Sequence, residues 1–175
     1  MIRPIVYHPD PRLKKTCEEV ADISDSLRNL ADDMLETMYD APGIGLAAPQ
    51  VGVLMRLIVL DCEKEENVPA QPIVMVNPEI VAASEETNVY EEGCLSIPDH
   101  FAEITRPKEV EVKWIDLTGA ECLQTFDGLW ATCVQHEIDH INGKLFLDYL
   151  GVMKRQLITR KMQKFKKEQA RKKAE

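Results

Sequence analysis

The first helical signal in the chain is a single apolar stripe: Leu27, Leu30, Ala31, Met34, Leu35 and Met38 fall at i, i+3, i+4, i+7, i+8 and i+11. Ser24 or Ser26 can cap its start, and Pro42-Gly43 ends it. Residues 2–20 precede it as an irregular segment, because Pro4, Pro9 and Pro11 block a long helix. The pattern then changes to short apolar runs. Leu57-Ile58-Val59-Leu60 reads as a buried strand, followed by the polar loop 63–67. Ile73-Val74-Met75-Val76 is expected to stop at a turn, Asn77-Pro78, with Ile80–Ala83 continuing beyond it. Val110, Val112 and Trp114 alternate with Glu111 and Lys113, and Thr118-Gly119 turns that strand into its hairpin partner, residues 121–126. Helical spacing returns from about Asp127 to Asn142, with Gly143 in the stop position. Leu129, Cys133, His136 and His140 share one face of this helix, which places the histidines on a buried side. A last stripe, Met153, Leu157, Ile158, Met162 and Phe165, predicts a helix whose first half packs on the body and whose turns from about Lys164 stand free.

The chemistry concentrates on Gln135-His136-Glu137-Ile138-Asp139-His140. Histidines four apart on a helix can reach one metal ion, with the intervening glutamate beside them as a proton carrier. The pattern also arises by chance, so further residues decide its meaning. Two imidazoles are one ligand short of a catalytic site with three protein ligands and an open position. Cys94, Cys133 and a carboxylate or histidine elsewhere are candidates. Cys133 lies on the same helix and reaches such a metal only awkwardly, whereas Cys94 can approach from a separate loop. Taken alone, Cys94 reads equally as a small buried hydrophobe. Gly43-Ile44-Gly45-Leu46-Ala47-Ala48-Pro49-Gln50 is neither a phosphate loop nor a dinucleotide fingerprint, and locally a plain turn into a strand explains it as well as a function does.

Composition narrows the class. The 175 residues are 45% hydrophobic and 29% charged, which suits one globular domain. The most apolar run, Gly52 to Leu60, is interrupted by Arg56 and too short to span a bilayer, and residues 1–4 do not resemble a secretory signal. Five cysteines without a Cys-x-x-Cys argue against a disulfide framework and for a reducing cytoplasm. Charge is divided unevenly. Residues 151–175 hold ten Lys/Arg and two acids, a net +8 in a chain of −9, leaving −17 on residues 1–150. A basic tail on an acidic body points to a polyanionic partner, although a solvated helix end explains the same charges.

Three stretches together, Gly43–Gln50, Glu92-Gly93-Cys94-Leu95-Ser96 and Gln135–His140, in this order and spacing, resemble the three motifs of the peptide deformylase family, in its bacterial type with a helical C-terminal extension. The resemblance runs from the N-terminus to at least Tyr149. It implies an α+β fold of antiparallel strands packed around a central metal-binding helix, with an N-terminal helix and a C-terminal helix. Residues 1–150 would form the catalytic metallohydrolase domain, and 151–175 a basic helical extension of it. It further implies one Fe²⁺ per chain held by Cys94, His136 and His140, with Ni²⁺, Co²⁺ or Zn²⁺ able to substitute, since such a donor set accepts all four. Glu137 would act as general acid–base, with Gln50 and the Leu95 backbone N–H meeting the oxyanion of an N-formylmethionyl peptide. Ile44, Gly45 and Gly93 would pair with the peptide backbone, and Ile44, Leu129, Cys133 and the His136 ring would line a slot for its methionine. The implied partners are these peptides and, through the basic helix, the ribosome, without membrane or DNA. Many relatives carry an arginine shortly after the cysteine motif where this chain has Phe101. Two other classes compete: a metal-stabilised RNA-binding module, which a fourth protein ligand would favour, and a zinc endopeptidase. Asp139, charged on a largely buried helix, is expected to pair with Arg106 and clamp the helix to the strand region after Cys94.

Overall fold

The computed structural model describes residues 1–63 and 65–174; Lys64, in the polar loop, and Glu175, at the end of the basic tail, lie outside them. In chain order the elements are α1 (Asp25–Asp40), β1 (Gly45–Ala47), β2 (Leu57–Leu60), β3 (Ile73–Ala83), β4 (Thr87–Cys94), β5 (Ile97–Pro107), β6 (Val110–Ile115), β7 (Glu121–Phe126), α2 (Gly128–Ile141) and α3 (Val152–Ala174). Short 3₁₀ turns occupy Pro11–Lys14, Ala48–Val51 and Phe146–Tyr149. The fold is α+β. Five strands form an antiparallel sheet in the order β1-β2-β3-β6-β7, while β4 and β5 form a separate antiparallel hairpin.

The apolar stripe of the first helix is buried as its spacing predicts, through Leu27, Leu30, Ala31, Met34 and Met38. Ser24 Oγ accepts the Leu27 N–H at 3.2 Å and caps it. This helix packs on β2 through Leu57 and Val59, while Ile58 and Leu60, alternating to the opposite face, meet Val134, Ile138 and Ile141 of α2. The long central helix therefore lies between the sheet and the β4–β5 hairpin. It is buried around nearly its whole circumference from Ala131 to Ile138, not along one face alone.

Three features depart from the sequence reading. Asn77-Pro78 is not a turn between two strands; β3 runs through it with a shift of register between Val76 and Glu79, and Asn77 takes a positive φ of 51°. The strand β5, as long as any in the molecule, is anticipated in that reading only as a strand region of unstated bounds after Cys94. Its inward positions are Ala102, Ile104 and Arg106, so a buried cation stands where the alternation needs an apolar residue. In the C-terminal helix the packed face is Ile158, Met162 and Phe165, with Phe165 edge-on to Tyr7 at 5.2 Å. Met153 and Leu157, 86% and 52% exposed, do not join it. Contact extends to about Phe165 and Lys166, a little beyond the expected limit.

The end of α2 fixes the second histidine. Gly143 adopts φ +76°, its N–H bonds the His140 carbonyl at 3.1 Å, and the Lys144 N–H reaches back to the Asp139 carbonyl at 2.9 Å, a Schellman closure. A Cβ at this position would lie 2.6 Å from the Lys14 carbonyl oxygen. Gly143→Ala is therefore expected to cost about 1–3 kcal/mol, read as a lowered thermal midpoint of the metal-free protein. An unchanged midpoint would mean that this closure relaxes freely.

Candidate metal centre

Cys94, at the end of β4, lies opposite two side chains from consecutive turns of α2. Cys94 Sγ is 3.3 Å from His140 Nε2, and the two Nε2 atoms are 3.1 Å apart. All three donor atoms lie within 4.8 Å of one another. Donors at metal–ligand distances around one tetrahedral ion are separated by about 3.3–3.5 Å, so the cluster fits a single ion. Among the described residues no fourth His, Cys, Asp or Glu joins the group, which leaves a coordination position open.

The ring orientations suit ligation. His136 Nδ1 faces Glu92 Oε1 at 2.9 Å, which turns Nε2 towards the other two donors; with the hydrogen on Nδ1, Nε2 offers its lone pair to an ion. Burial opposes a charge on His136, but hydrogen bonds to Cys94 and Glu92 outweigh it and raise the ring's proton affinity well above normal. The site thus favours positive charge at the spot where the donors converge. Burial, and then the charge at His136, hold His140 well below the ordinary histidine range, in the neutral form that binds metals.

Glu92 is itself held by a buried guanidinium. Arg106 donates from Nε to Glu92 Oε2 at 2.7 Å and from Nη2 to Oε1 at 3.0 Å, a bidentate pair. Its Nη1 donates to Asp139 Oδ2 at 2.9 Å, the contact expected from the sequence, and to Tyr149 Oη at 3.3 Å. The Tyr149 hydroxyl donates to the same Asp139 oxygen at 2.8 Å. Neither Glu92 nor Tyr149 was singled out in the sequence reading. A signal for Glu92 existed: two residues before Cys94 on a strand, it must face the same side as the cysteine.

Around the donors opens a cleft of ≈ 530 Å³ whose walls include Ile44, Gly45, Gln50, Gly93, Cys94, Leu95, Leu129, Cys133, His136 and Glu137. Every residue nominated from the sequence lies on this cleft or, for His140, in the donor cluster behind it. Glu137 is buried, with Oε2 lacking a hydrogen-bond partner among the described residues, and burial pushes its carboxyl up to about 7. β1 passes close beside it: a Cβ on Gly45 would sit 2.5 Å from Glu137 Oε1 and 2.8 Å from Cys133 Sγ, so only glycine fits. The Gln50 amide is fixed at both ends. Its Oε1 accepts the Ala47 N–H at 2.9 Å, and its Nε2 donates to Ser96 Oγ at 3.1 Å and points at Cys94 Sγ at 3.5 Å. Leu95 and Ser96 form the turn after Cys94, and Pro98–His100 bulge out of β5 before pairing resumes at Phe101 opposite Gly93. Phe101, 61% exposed, covers Gly93 at the cleft mouth.

Comparison with known proteins follows the same residues. The family profile described as polypeptide deformylase matches residues 2–156. The peptide deformylase of Rhizobium meliloti (strain 1021) is 53% identical over 163 residues, 93% of each protein. The crystal structure of peptide deformylase from Ehrlichia chaffeensis superposes with a TM-score of 0.92 at 40% identity, covering 97% of this chain and 99% of that one. The structure of the Ehrlichia chaffeensis protein in complex with actinonin superposes with a TM-score of 0.89 at 43% identity, over 93% and 96%.

Because Arg106 and Glu92 are each about 5% exposed, Arg106→Ala strands buried carboxylates rather than removing a surface contact. We expect a loss of about 3–5 kcal/mol in denaturant unfolding. A loss below 1 kcal/mol would show that water enters and solvates the carboxylates.

Proposed function

The chain belongs to the peptide deformylase family, and on that premise we propose how the residues of the cleft share the reaction. It is a metal-dependent hydrolase that removes the N-formyl group from the formyl-methionine of nascent polypeptides and releases formate. In our reading Cys94, His136 and His140 hold the ion. When bound, the ion supplies Lewis acidity and a water of near-neutral pKa. Glu137 takes a proton at its carboxylate and passes it to the departing amine. Gln50 Nε2 and the Leu95 backbone N–H stabilise negative charge on the former carbonyl oxygen. The observation that carries this reading is the convergence of three donor atoms, without a fourth among the described residues, beside a buried glutamate with an oxygen that has no hydrogen-bond partner among them.

The substrate backbone adds to β1, an edge strand of the five-stranded sheet, at Ile44 and Gly45, and meets Gly93 on the facing hairpin. Ile44, Leu129, Cys133 and the His136 ring line the methionine slot. The native ion in this proposal is Fe²⁺, with Ni²⁺, Co²⁺ or Zn²⁺ able to replace it. The soft thiolate and two imidazoles accept all of them, so availability in the cell decides. Residues 1–150 act as the catalytic domain and 151–175 as its extension. Five unpaired cysteines support a cytoplasmic site of action. No described helix is long and apolar enough to cross a membrane.

The decisive measurement is formate release from formyl-Met-Ala by protein purified without air, with its metal content determined. Iron should be the bound metal; another metal after such purification would remove iron from the proposal. Glu137→Gln should retain one ion per chain and lose turnover by ~10²–10⁴-fold. Near-normal release by that variant would take the proton-transfer role from Glu137.

We also propose that the exposed basic side of α3 docks on ribosomal RNA. Lys161, Lys164, Lys167 and Arg171 are exposed, opposite in sign to the body. Replacing these four by Gln should leave formyl-Met-Ala hydrolysis unchanged, weaken co-sedimentation with ribosomes at low salt and flatten its salt dependence. Equal co-sedimentation of the two proteins would refute the docking role.

A further inference from the structure

The turn Phe146–Tyr149 touches the metal-binding helix at two separate places. The Phe146 ring lies against His136, centroids 6.4 Å apart and 27° from parallel. At the other end of the turn, the Tyr149 hydroxyl closes a triangle with Asp139 Oδ2 at 2.8 Å and Arg106 Nη1 at 3.3 Å, whose third side is the 2.9 Å ion pair. The remaining two donors of the same guanidinium engage Glu92, and the Glu92 Oε1 that accepts from Arg106 also meets His136 Nδ1 at 2.9 Å. The Tyr149 ring is flanked by two cations, with the Arg106 guanidinium carbon 4.9 Å and Lys144 Nζ 4.0 Å from its centroid. Three residues later α3 begins, and its Ile158 and Met162 pack in one apolar cluster with Phe146 and Leu147.

From this continuous set of contacts we infer that Tyr149 is a positioning residue for His136. Its hydroxyl, together with Asp139, locks the Nη1 corner of the Arg106 guanidinium. A guanidinium is rigid and planar, so fixing one edge fixes the direction of the other two donors and hence the Glu92 carboxylate. That carboxylate sets the tautomer and tilt of the His136 ring. The turn that anchors the basic helix thus also holds a metal ligand from behind. Tyr149 is 41% exposed and touches none of the three donor atoms, so its effect runs through the network alone. The inference rests on the reading of Cys94, His136 and His140 as ligands.

Tyr149→Phe tests it, because the ring and its cation contacts remain while the hydroxyl is lost. Two readouts are taken on the Co²⁺-loaded protein: the visible ligand-field bands, and the rate of Co²⁺ release to a chelator. Loss of a group that directly orients a ligand typically costs 10–100-fold in metal affinity. Tyr149 stands two contacts further out, so release should be faster by roughly three- to tenfold, with shifted bands. Unchanged bands and release overturn the inference, and so does a lowered thermal midpoint with both unchanged, since the tyrosine would then be merely structural. Glu92→Gln, run beside it, separates the two levels. If Glu92→Gln alters Co²⁺ binding and Tyr149→Phe does not, only the role of Tyr149 falls. If neither does, the assignment of His136 as a ligand falls with it.

Discussion

The structure depends on one buried guanidinium. Arg106 enters from the inward face of β5 and ties together β4 through Glu92, α2 through Asp139 and the following turn through Tyr149. A buried ion pair of this kind contributes little net stability compared with apolar packing, because desolvation offsets most of the attraction. What it supplies is a unique arrangement: shifting either strand by one residue would bury carboxylates with no partner. The charges around it also favour a cation at the donor cluster. Glu92 and Asp139 against Arg106 leave one negative charge, and Cys94 as a thiolate adds a second. A cation among the three donors would offset that charge, in a cleft whose wall also carries Glu137.

Most of the scaffold was legible because period and burial agree there. The stripe from Leu27 to Met38, the run 57–60 and the alternation at 110–114 were assigned from spacing, and each is buried as the spacing requires. The same agreement fails in the hairpin that carries Cys94. Its inward positions include Glu92 and Arg106, and its outward ones include Val89 and Phe101, both exposed. Charged residues face in beside apolar ones and apolar residues also face out, so the binary pattern there is blurred. Local rules are broken where function needs a charge inside. The nominated residues nonetheless come together on one cleft, because a metal motif depends on the identity and spacing of a few side chains rather than on the pattern around them. Tyr149 escaped for the opposite reason, since neither its spacing nor its type points to the Arg106 network, whereas Glu92 carried one signal, its two-residue spacing from Cys94 on a strand.

The tail shows the limit of periodicity in a different way. Met153 and Leu157 are four apart and look like the start of a buried face, yet they lie on the solvent side, while Ile158, Met162 and Phe165 pack. Here only one of these two neighbouring rows faces the body. The inner row is selected by what waits beneath it, the cluster of Leu13, Ile97, Leu145 and Phe146 assembled from three distant parts of the chain. No window on the helix itself contains that information.

That cluster also bears on how the site stays in one piece. The two histidines belong to α2, which is fixed between the sheet and the hairpin, but the cysteine belongs to a two-stranded hairpin outside the five-stranded sheet. Such a pair is marginal by itself. It is held by the apolar contacts of Ile97, Ala102 and Ile104, by the Arg106–Asp139 bridge, and by the Gln50–Ser96 bond across to the turn after β1. An ion shared between Cys94 and the histidines would join the same two bodies at a further point. Binding energy at the site is then also docking energy for the hairpin. The cleft lies along that junction, with β1 on one wall and β4 on the other, so the forces that seat the ion also set the width of the slot between Gly45 and Gly93.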